Sequence, residues 1–305
     1  MRKAYPSTSH PSSFLNGDYT GPISSRTEIS ETSTFTSCSF NTQGQGGGAI
    51  FFHDTLGSLT VSDSLFEKCN STSEHGGAIY GHSCGMVSIN ASLFVTCSSP
   101  KDKYGGGICI IGTSAMPEIT ESNFISCISG QDSGGLELSK VTVTTGVDLP
   151  VRECSFIGCI ANGVTSDPQL NDADGGGLLF WENACTLGIA NSLFAHCESK
   201  QRSGGCFIVI NNASFFNVVR FCFYSENTAP SGRNALIQFN QSCWEPWDII
   251  FFHCFTSDNS FVNSLVMTHS TESAVNGDWL PLGPLSYLRM PEGNCSMPAL
   301  MNPHF

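Results

Sequence analysis

Charged residues are scarce in this chain, and basic ones most of all. Only 13% of the 305 residues are charged, and 13 Lys and Arg stand against 26 Asp and Glu, a formal net charge of −13. A nucleic-acid partner needs a basic stripe that neutralises phosphates, and none exists in the sequence. The same deficit disfavours an acidic polysaccharide as a substrate. Composition therefore excludes nucleic-acid binding.

Long apolar runs are also missing. Runs such as Ile249–Phe252 fall far short of the roughly 20 residues that span a bilayer, so we expect no membrane-spanning segment. The first ten residues contain two basic residues with no apolar stretch behind them, unlike a secretory signal peptide. We expect the chain to be part of a longer cell-surface or extracellular precursor, with a cytoplasmic protein as the alternative. Five N-glycosylation acceptors, at Asn70, Asn90, Asn212, Asn240 and Asn294, permit secretion without demonstrating it.

The 15 cysteines lack the spacing of a metal site, because there is no Cys-x-x-Cys and no Cys/His zinc pattern. Their odd number and regular spacing do not suggest paired bridges. In a column of stacked strands, equivalent Cβ atoms lie about 4.8 Å apart, whereas a disulfide needs roughly 3.5–4.5 Å. We therefore predict free, buried thiols that act as small apolar fillers, and we predict no metal and no cofactor.

What the chain does contain is a repeat, in which a Phe-x-x-Cys motif is followed by a pair of glycines and an apolar run. Six copies follow one another at intervals of about 30 residues, a period typical of stacked coils that cannot bury their apolar faces alone. The Phe and Cys positions are Phe35 and Cys38, Phe66 and Cys69, Phe94 and Cys97, Phe124 and Cys127, Phe156 and Cys159, and Phe194 and Cys197. The glycine pairs are Gly47 and Gly48, Gly76 and Gly77, Gly106 and Gly107, Gly134 and Gly135, Gly176 and Gly177, and Gly204 and Gly205.

Two degenerate copies follow, around Phe223 and around Phe251 with Cys254. Thr, Val, Ile and Phe suit strands, and Gly, Asn and Ser suit tight corners, so the chain is predicted to be all-β. We predict a solenoid of about eight coils over residues 31–262. Residues 1–30 would form an N-terminal cap or incomplete coil, and residues 263–305 a C-terminal cap or tail.

Within one coil, alternation predicts which side chains point inward. The Phe and the Ser two residues before it share the inner face, and so do the first and third positions after each glycine pair. The second and fourth positions should point outward, yet most of them are apolar. Such a band marks a docking face, unless a loop or terminal segment covers it or the strand is buried on both sides. The candidate binding residues are Phe52, Ile79, Ile111, Trp181 and Phe207, with the inserted loop Ala161–Asp174 as a second candidate.

Three further patterns are compared with known kinds of metal or catalytic site. His53 and His82 occupy the same repeat position and should stack, but their column continues without a consistent set of metal ligands. Glu121 and Glu153 also align, outside the coil, where a glycosidase would need paired carboxylates in a groove. Asp172 and Asp174 form a weak calcium candidate, and a solvated loop is the better interpretation.

The motifs Gly47-Gly48-Ala49-Ile50 and Gly76-Gly77-Ala78-Ile79 resemble the GGAI repeat of the chlamydial polymorphic outer membrane proteins. The second motif of that family, Phe-x-x-Asn, is similar to the Phe-x-x-Cys of this chain, with Cys in place of Asn. The resemblance covers about residues 30–260. It implies a single-stranded right-handed parallel β-helix of the pectin-lyase-like class, and it implies adhesion or display.

These patterns predict a non-catalytic scaffold for surface display, adhesion or interaction with an unknown protein or glycan. The first alternative is a carbohydrate-active enzyme on the same fold, a polysaccharide lyase or a glycosidase. It would require carboxylates that converge in a groove. A third possibility, an intracellular structural repeat, is favoured by the free thiols.

Overall fold

A computed structural model describes residues 27–29, 33–40, 46–143, 147–163, 174–181, 183, 186–200, 203–210, 219–230, 235–240, 251–252, 255–256, 265–270 and 279–281. Every regular element in these ranges is a β-strand. Most strands have two to five residues, because a corner follows each of them. This agrees with the predicted all-β class.

The strands follow one another around successive coils. The earlier ones are β1 (Thr27–Ile29), β2 (Thr34–Thr36), β3 (Ser39–Phe40), β4 (Ile50–Phe52), β5 (Ser58–Ser62), β6 (Leu65–Glu67), β7 (Asn70–Ser71), β8 (Ile79–His82), β9 (Met86–Asn90), β10 (Leu93–Val95), β11 (Ile108–Ile111), β12 (Glu118–Thr120), β13 (Asn123–Ile125), β14 (Ile128–Ser129) and β15 (Leu136–Ser139). The later ones are β16 (Val147–Arg152), β17 (Ser155–Ile157), β18 (Ile160–Ala161), β19 (Leu178–Trp181), β20 (Thr186–Ala190), β21 (Leu193–Ala195), β22 (Glu198–Ser199), β23 (Cys206–Ile210), β24 (Val219–Arg220), β25 (Phe223–Ser225), β26 (Ala235–Asn240), β27 (Phe251–Phe252), β28 (Phe255–Thr256), β29 (Leu265–Ser270) and β30 (Trp279–Pro281).

Three long sheets run the length of the solenoid. The first sheet has the order β1-β5-β9-β12-β16-β20-β24-β27, and the second has the order β2-β6-β10-β13-β17-β21-β25-β28. The third sheet contains β4, β8, β11, β15, β19, β23, β26, β29 and β30. All pairings in the three sheets are parallel except that of β29 with β30. The predicted parallel β-solenoid is confirmed.

About five turns are complete, fewer than the predicted eight. Strands before and after these turns extend the three sheets. Strands β1, β29 and β30 lie outside the range 31–262 assigned to the repeats, and the division into three segments stays a prediction.

A column of stacked phenylalanine rings fills the core beside the second sheet. Neighbouring rings have centroids 4.6 to 4.9 Å apart and are within 8° of parallel from Phe35 to Phe194. The column continues to Tyr224 at 5.2 Å. Two sequence assignments are therefore wrong. Tyr224, not Phe223, occupies the aromatic position, and Phe251 pairs with Val219 in the first sheet.

The cysteine column is buried and its thiols are free, as predicted. These thiols are also hydrogen-bond donors, which the sequence interpretation missed. From Cys69 to Cys197, each thiol of the column donates to the carbonyl oxygen of the Phe one coil earlier, at 3.3 to 3.5 Å, as Cys69 does to Phe35. In the next coil Asn227 takes this position, and its amide donates to the Phe194 carbonyl at 2.9 Å. Cys and Asn thus make the same hydrogen bond at this position in successive coils.

Two adjacent glycines at the glycine-rich corner meet different requirements. The first has a positive φ angle, and the second leaves room for the neighbouring coil. Gly47, Gly76 and Gly105 have positive φ angles of 75°, 68° and 65°. The next glycine has no unusual φ, but the neighbouring coil lies against it. A Cβ on Gly77 would stand 1.9 Å from the Gly106 carbonyl oxygen and 2.4 Å from the Ser98 nitrogen.

This corner also shows why the inward and outward positions were assigned wrongly in two coils. Ile50, Ile79 and Ile108 pair in register, so the equivalent of Gly107 is Ala78 in the preceding coil. The motif that starts at the glycine pair is shifted by one residue between these coils. The inward and outward positions predicted by counting from the glycine pair are therefore correct from Ile108 onward. In the two coils before Ile108 they are reversed. Phe52 and Ile79, expected to face outward, lie in the core instead.

We expect Gly77→Ala to lower the free energy of unfolding by about 3 kcal/mol or more, because the added methyl group would overlap backbone atoms of the next coil. Gly81→Ala is the matched control, since its Cβ would meet only side chains, the nearest at 3.3 Å. Its expected cost is within about 1 kcal/mol. Urea unfolding of both variants measures the difference, and equal costs would contradict the close approach.

We expect the described thiols to resist alkylation in the native protein. Burial raises the pKa of Cys127, Cys109 and Cys159 well above 9, so almost no thiolate exists at pH 8. Peptide mass mapping after native treatment with iodoacetamide should find Cys97 and Cys127 unmodified, whereas treatment in guanidinium should modify all 15 cysteines. Native modification of either residue would contradict this.

Candidate functional site

The outer side of the third sheet carries a second apolar layer. Phe51, Tyr80 and Cys109 occupy successive register positions on this side, and all three are buried. Tyr104 and Ile111 pack against them. These residues form a cluster separate from the core of the solenoid. Here the strands are covered on both sides, which was one of the interpretations left open from the sequence.

The structure places the five predicted binding residues in different environments. Phe52 and Ile79 are fully buried inside the core, because of the register shift at the glycine corner, and they cannot contact a partner. Ile111 and Trp181 lie on the outer side and are half-buried. The side chain of Phe207 lies outside the described part of the structure.

Ile111 and Trp181 belong to one outward column of the third sheet. In register they align with His82 and Ser139, and His53 precedes His82 by one coil. His53 and His82 are exposed and stack as predicted, with ring centroids 5.4 Å apart. We call this set the outer column. Its members are His53, His82, Ile111, Ser139 and Trp181.

The stacked histidines are not arranged as a metal site. Their rings are inclined by only 26°, so their nitrogen lone pairs, which lie in the ring planes, do not converge on one point. Among the residues that the structure describes, no group of three or more His, Cys, Asp or Glu side chains could hold a metal ion. Burial first, and then His53, lowers the pKa of His82.

A polar network borders the buried layer at the corner before β8. The backbone nitrogen of Tyr104 donates to Nδ1 of His75 at 3.1 Å, which places the imidazole proton on Nε2. Lys103 Nζ lies 2.8 Å from Glu74 Oε2. Burial, with Lys103 as the second cause, lowers the pKa of His75 to about 4. His75 is therefore neutral at pH 7, and its ring packs 5.2 Å from that of Tyr80.

Glu137 is a carboxylic acid within the same outer layer. Its register neighbours are Cys109 and Leu179, and the residue is only 3% exposed. Its Oε2 atom has no hydrogen-bond partner. Burial raises the pKa of Glu137 to about 8, although a hydrogen bond with Ser139 and the charge of Lys140 both lower it. Glu137 is thus mostly neutral at pH 7.

The other candidate carboxylates lie elsewhere. Glu121 and Glu153 are exposed at adjacent corners between the first and second sheets, with positive φ angles of 51° and 57°, and so lie outside the coil as predicted. Asp174 is buried, and its backbone nitrogen donates to Oδ1 of Asp132. Asp172 and most of the predicted loop Ala161–Asp174 lie outside the described residues.

The sequence interpretation overlooked the outer side of the second sheet. The residues just before and just after each core aromatic ring point outward. Six of these fourteen residues are polar, among them Glu67, Asn123 and Ser155, and Ala195 is buried, whereas the other seven are large, apolar and half-buried. They are Leu65, Leu93, Val95, Ile125, Ile157, Leu193 and Phe223. We call this set the apolar stripe. The signal was present, because strict alternation would put polar residues at these positions.

Comparison with protein-family models, with curated proteins and with solved structures finds no match to this chain. Among the described residues there is no helix with the length and apolar character needed to cross a bilayer.

We expect Glu137 to make the stability of the protein decrease as the pH rises from about 4.5 to about 8. The folded state retains the proton of this group over that range, whereas the unfolded state, with a pKa near 4.5, releases it. Glu137→Gln should remove this contribution, so that the variant gains a few kcal/mol over the wild type between pH 5 and pH 8. Chemical unfolding across that range measures the difference.

Glu121→Gln is the control for this experiment, because Glu121 is exposed. Its unfolding free energy should follow the wild type at every pH. Parallel curves for Glu137→Gln and the wild type would show that Glu137 does not hold a proton in the folded state.

Proposed function

We propose that this protein is a non-catalytic interaction scaffold, and that its outer column binds a protein or glycan partner. The observation that supports this most directly is the half-buried pair Ile111 and Trp181 in the outer column, on the outer side of the third sheet. Neither side chain is part of the core cluster of the solenoid. A large aromatic side chain at such a position is typical of contact surfaces.

The proposal includes the finer features that the sequence resemblance implies. They are a right-handed β-helix of the pectin-lyase-like class, with repeats of the chlamydial polymorphic outer membrane protein type, displayed at a cell surface as part of a longer precursor. Right-handed crossovers between parallel strands are the general rule, which supports the handedness. The Asn227 amide supports the resemblance, because Tyr224-x-x-Asn227 restores the Phe-x-x-Asn pattern with an aromatic first residue.

The alternative, a carbohydrate-active enzyme, has one observation in its favour. A carboxylic acid that remains neutral near pH 7, as Glu137 does, is the kind of group that acts as a general acid. Its 3% exposure and its apolar register neighbours Cys109 and Leu179 favour a structural role over contact with a sugar. Release of sugars or unsaturated products from a panel of polysaccharides would establish the enzyme, provided that Glu137→Gln abolishes it.

We expect a photo-crosslinking amino acid at position 181 to capture a partner in the cells that produce the protein. An aromatic crosslinker replaces Trp181 with little change in shape. The matched control carries the crosslinker at Ser88, a half-buried outward position of the first sheet. A defined adduct from position 181 that is absent from position 88 supports the outer column. Absence of an adduct at 181, or the same adducts from both positions, would contradict it.

A further inference from the structure

The outward sides of the first and second sheets differ in chemistry although their geometry is the same. In both, an inward residue alternates with half-buried outward residues. The outward residues of the first sheet are mostly polar, among them Thr60, Ser88, Asn90 and Thr120. Seven of the equivalent residues of the second sheet form the apolar stripe, with Glu67, Asn123 and Ser155 beside them. A solenoid held together by its core needs neither pattern, so the stripe requires another explanation.

The apolar stripe follows six paired strands of the second sheet, β6, β10, β13, β17, β21 and β25. The phenylalanine rings directly beneath it are within 8° of parallel over five successive pairs, so the coils stack in a regular way. The stripe covers six coils, from the coil of Leu65 to the coil of Phe223. The five spacings between them, at about 4.8 Å each, make the stripe about 24 Å long. Its two columns of side chains lie about 6.6 Å apart.

A second copy of this chain is a poor occupant. The stripe presents roughly 300 Å² when about 12 Å of width is allowed for its side chains, whereas a stable interface buries about 800 Å² on each partner. The corner along one edge carries the exposed residues Asp63, Glu121, Glu153, Asn191 and Phe221, with Arg152 and Arg220 beside them. The opposite corner carries Lys68, His196 and Glu226. In a symmetric pair whose twofold axis runs across the stripe, the two acidic edges would face each other.

We propose that the apolar stripe binds a basic amphipathic helical segment of a partner protein. A helix of about 16 residues has the length of the stripe, at 1.5 Å per residue. Its apolar residues recur at each turn of about 5.4 Å, so four to five turns of the helix lie along the six coils of the stripe. Basic residues on the flanks of the helix face the row of Asp63, Glu121 and Glu153. The stripe lies on a different sheet from Trp181, so this inference goes beyond the proposed function.

The test uses the full chain and a labelled 18-residue peptide of Leu and Lys, with Leu at positions i, i+3, i+4 and i+7. Two comparison peptides carry Glu in place of Lys, or the same Leu and Lys in scrambled order. Fluorescence anisotropy should show binding of the patterned Lys peptide, at least tenfold tighter than either comparison peptide. Equal binding of the scrambled peptide would show attraction by net charge alone and would overturn the proposal.

The location is tested with the double variant Ile125→Asn and Ile157→Asn, and with Ser88→Asn as the control on the first sheet. The stripe variant should weaken binding at least tenfold, and the control should leave it unchanged. Ile157→Thr is a milder second variant should the double one fail to fold, with a smaller loss expected. Unchanged affinity in the stripe variants would overturn the proposal.

Sedimentation of the unlabelled protein tests the remaining possible occupant of the stripe, a second copy of the chain. A concentration-dependent dimer that the stripe variant abolishes would assign the stripe to a second copy of the chain and overturn the proposal. Crosslinking from position 181 does not depend on the stripe. Loss of peptide binding would therefore overturn only this proposal, and loss of the crosslinked adduct would overturn only the proposed function.

Discussion

In-register stacking of one coil on the next is the constraint on which the rest of this structure depends. The phenylalanine rings lie face to face at 4.6 to 4.9 Å, close to the distance between paired strands, so side-chain and backbone contacts are satisfied together. The thiol column binds the Phe carbonyl groups of the preceding coil. Each coil therefore completes the hydrogen bonds of its neighbour, and no coil is complete alone.

Stacking also fixes which residues the corners accept. At Gly77 the next coil leaves no space for a Cβ atom, and at Gly76 the backbone has a positive φ. The other corners have positive φ angles as well, yet residues such as Asp63, Lys68 and Glu121 occupy them. Their side chains reach solvent, so only the conformational cost applies there. The glycines are thus required mainly where coils approach closely.

The core leaves the outer faces free to differ, and the differences among them are the best guide to function. The first sheet is polar outside, the second carries the apolar stripe, and the third is covered by a second layer that contains Glu137 and His75. The stacked aromatic and thiol columns lie inside the coil, and the outer cluster is separate from them. The outer faces can therefore carry different chemistry on the same fold. A neutral carboxylic acid and a neutral imidazole, with pKa values of about 8 and about 4, give the third face its own response to pH.

The sequence by itself determined the solenoid, the aromatic and thiol columns and the glycine corners, because each repeats with a period that only stacked coils explain. It did not determine the register at the corner of the first two complete repeats, where Ala49 and Ala78 replace a glycine and conceal a shift of one residue. That shift placed Phe52 and Ile79 inside and left Ile111 and Trp181 outside. Only the tertiary structure decided it, because register depends on which backbone groups pair between coils far apart in the chain.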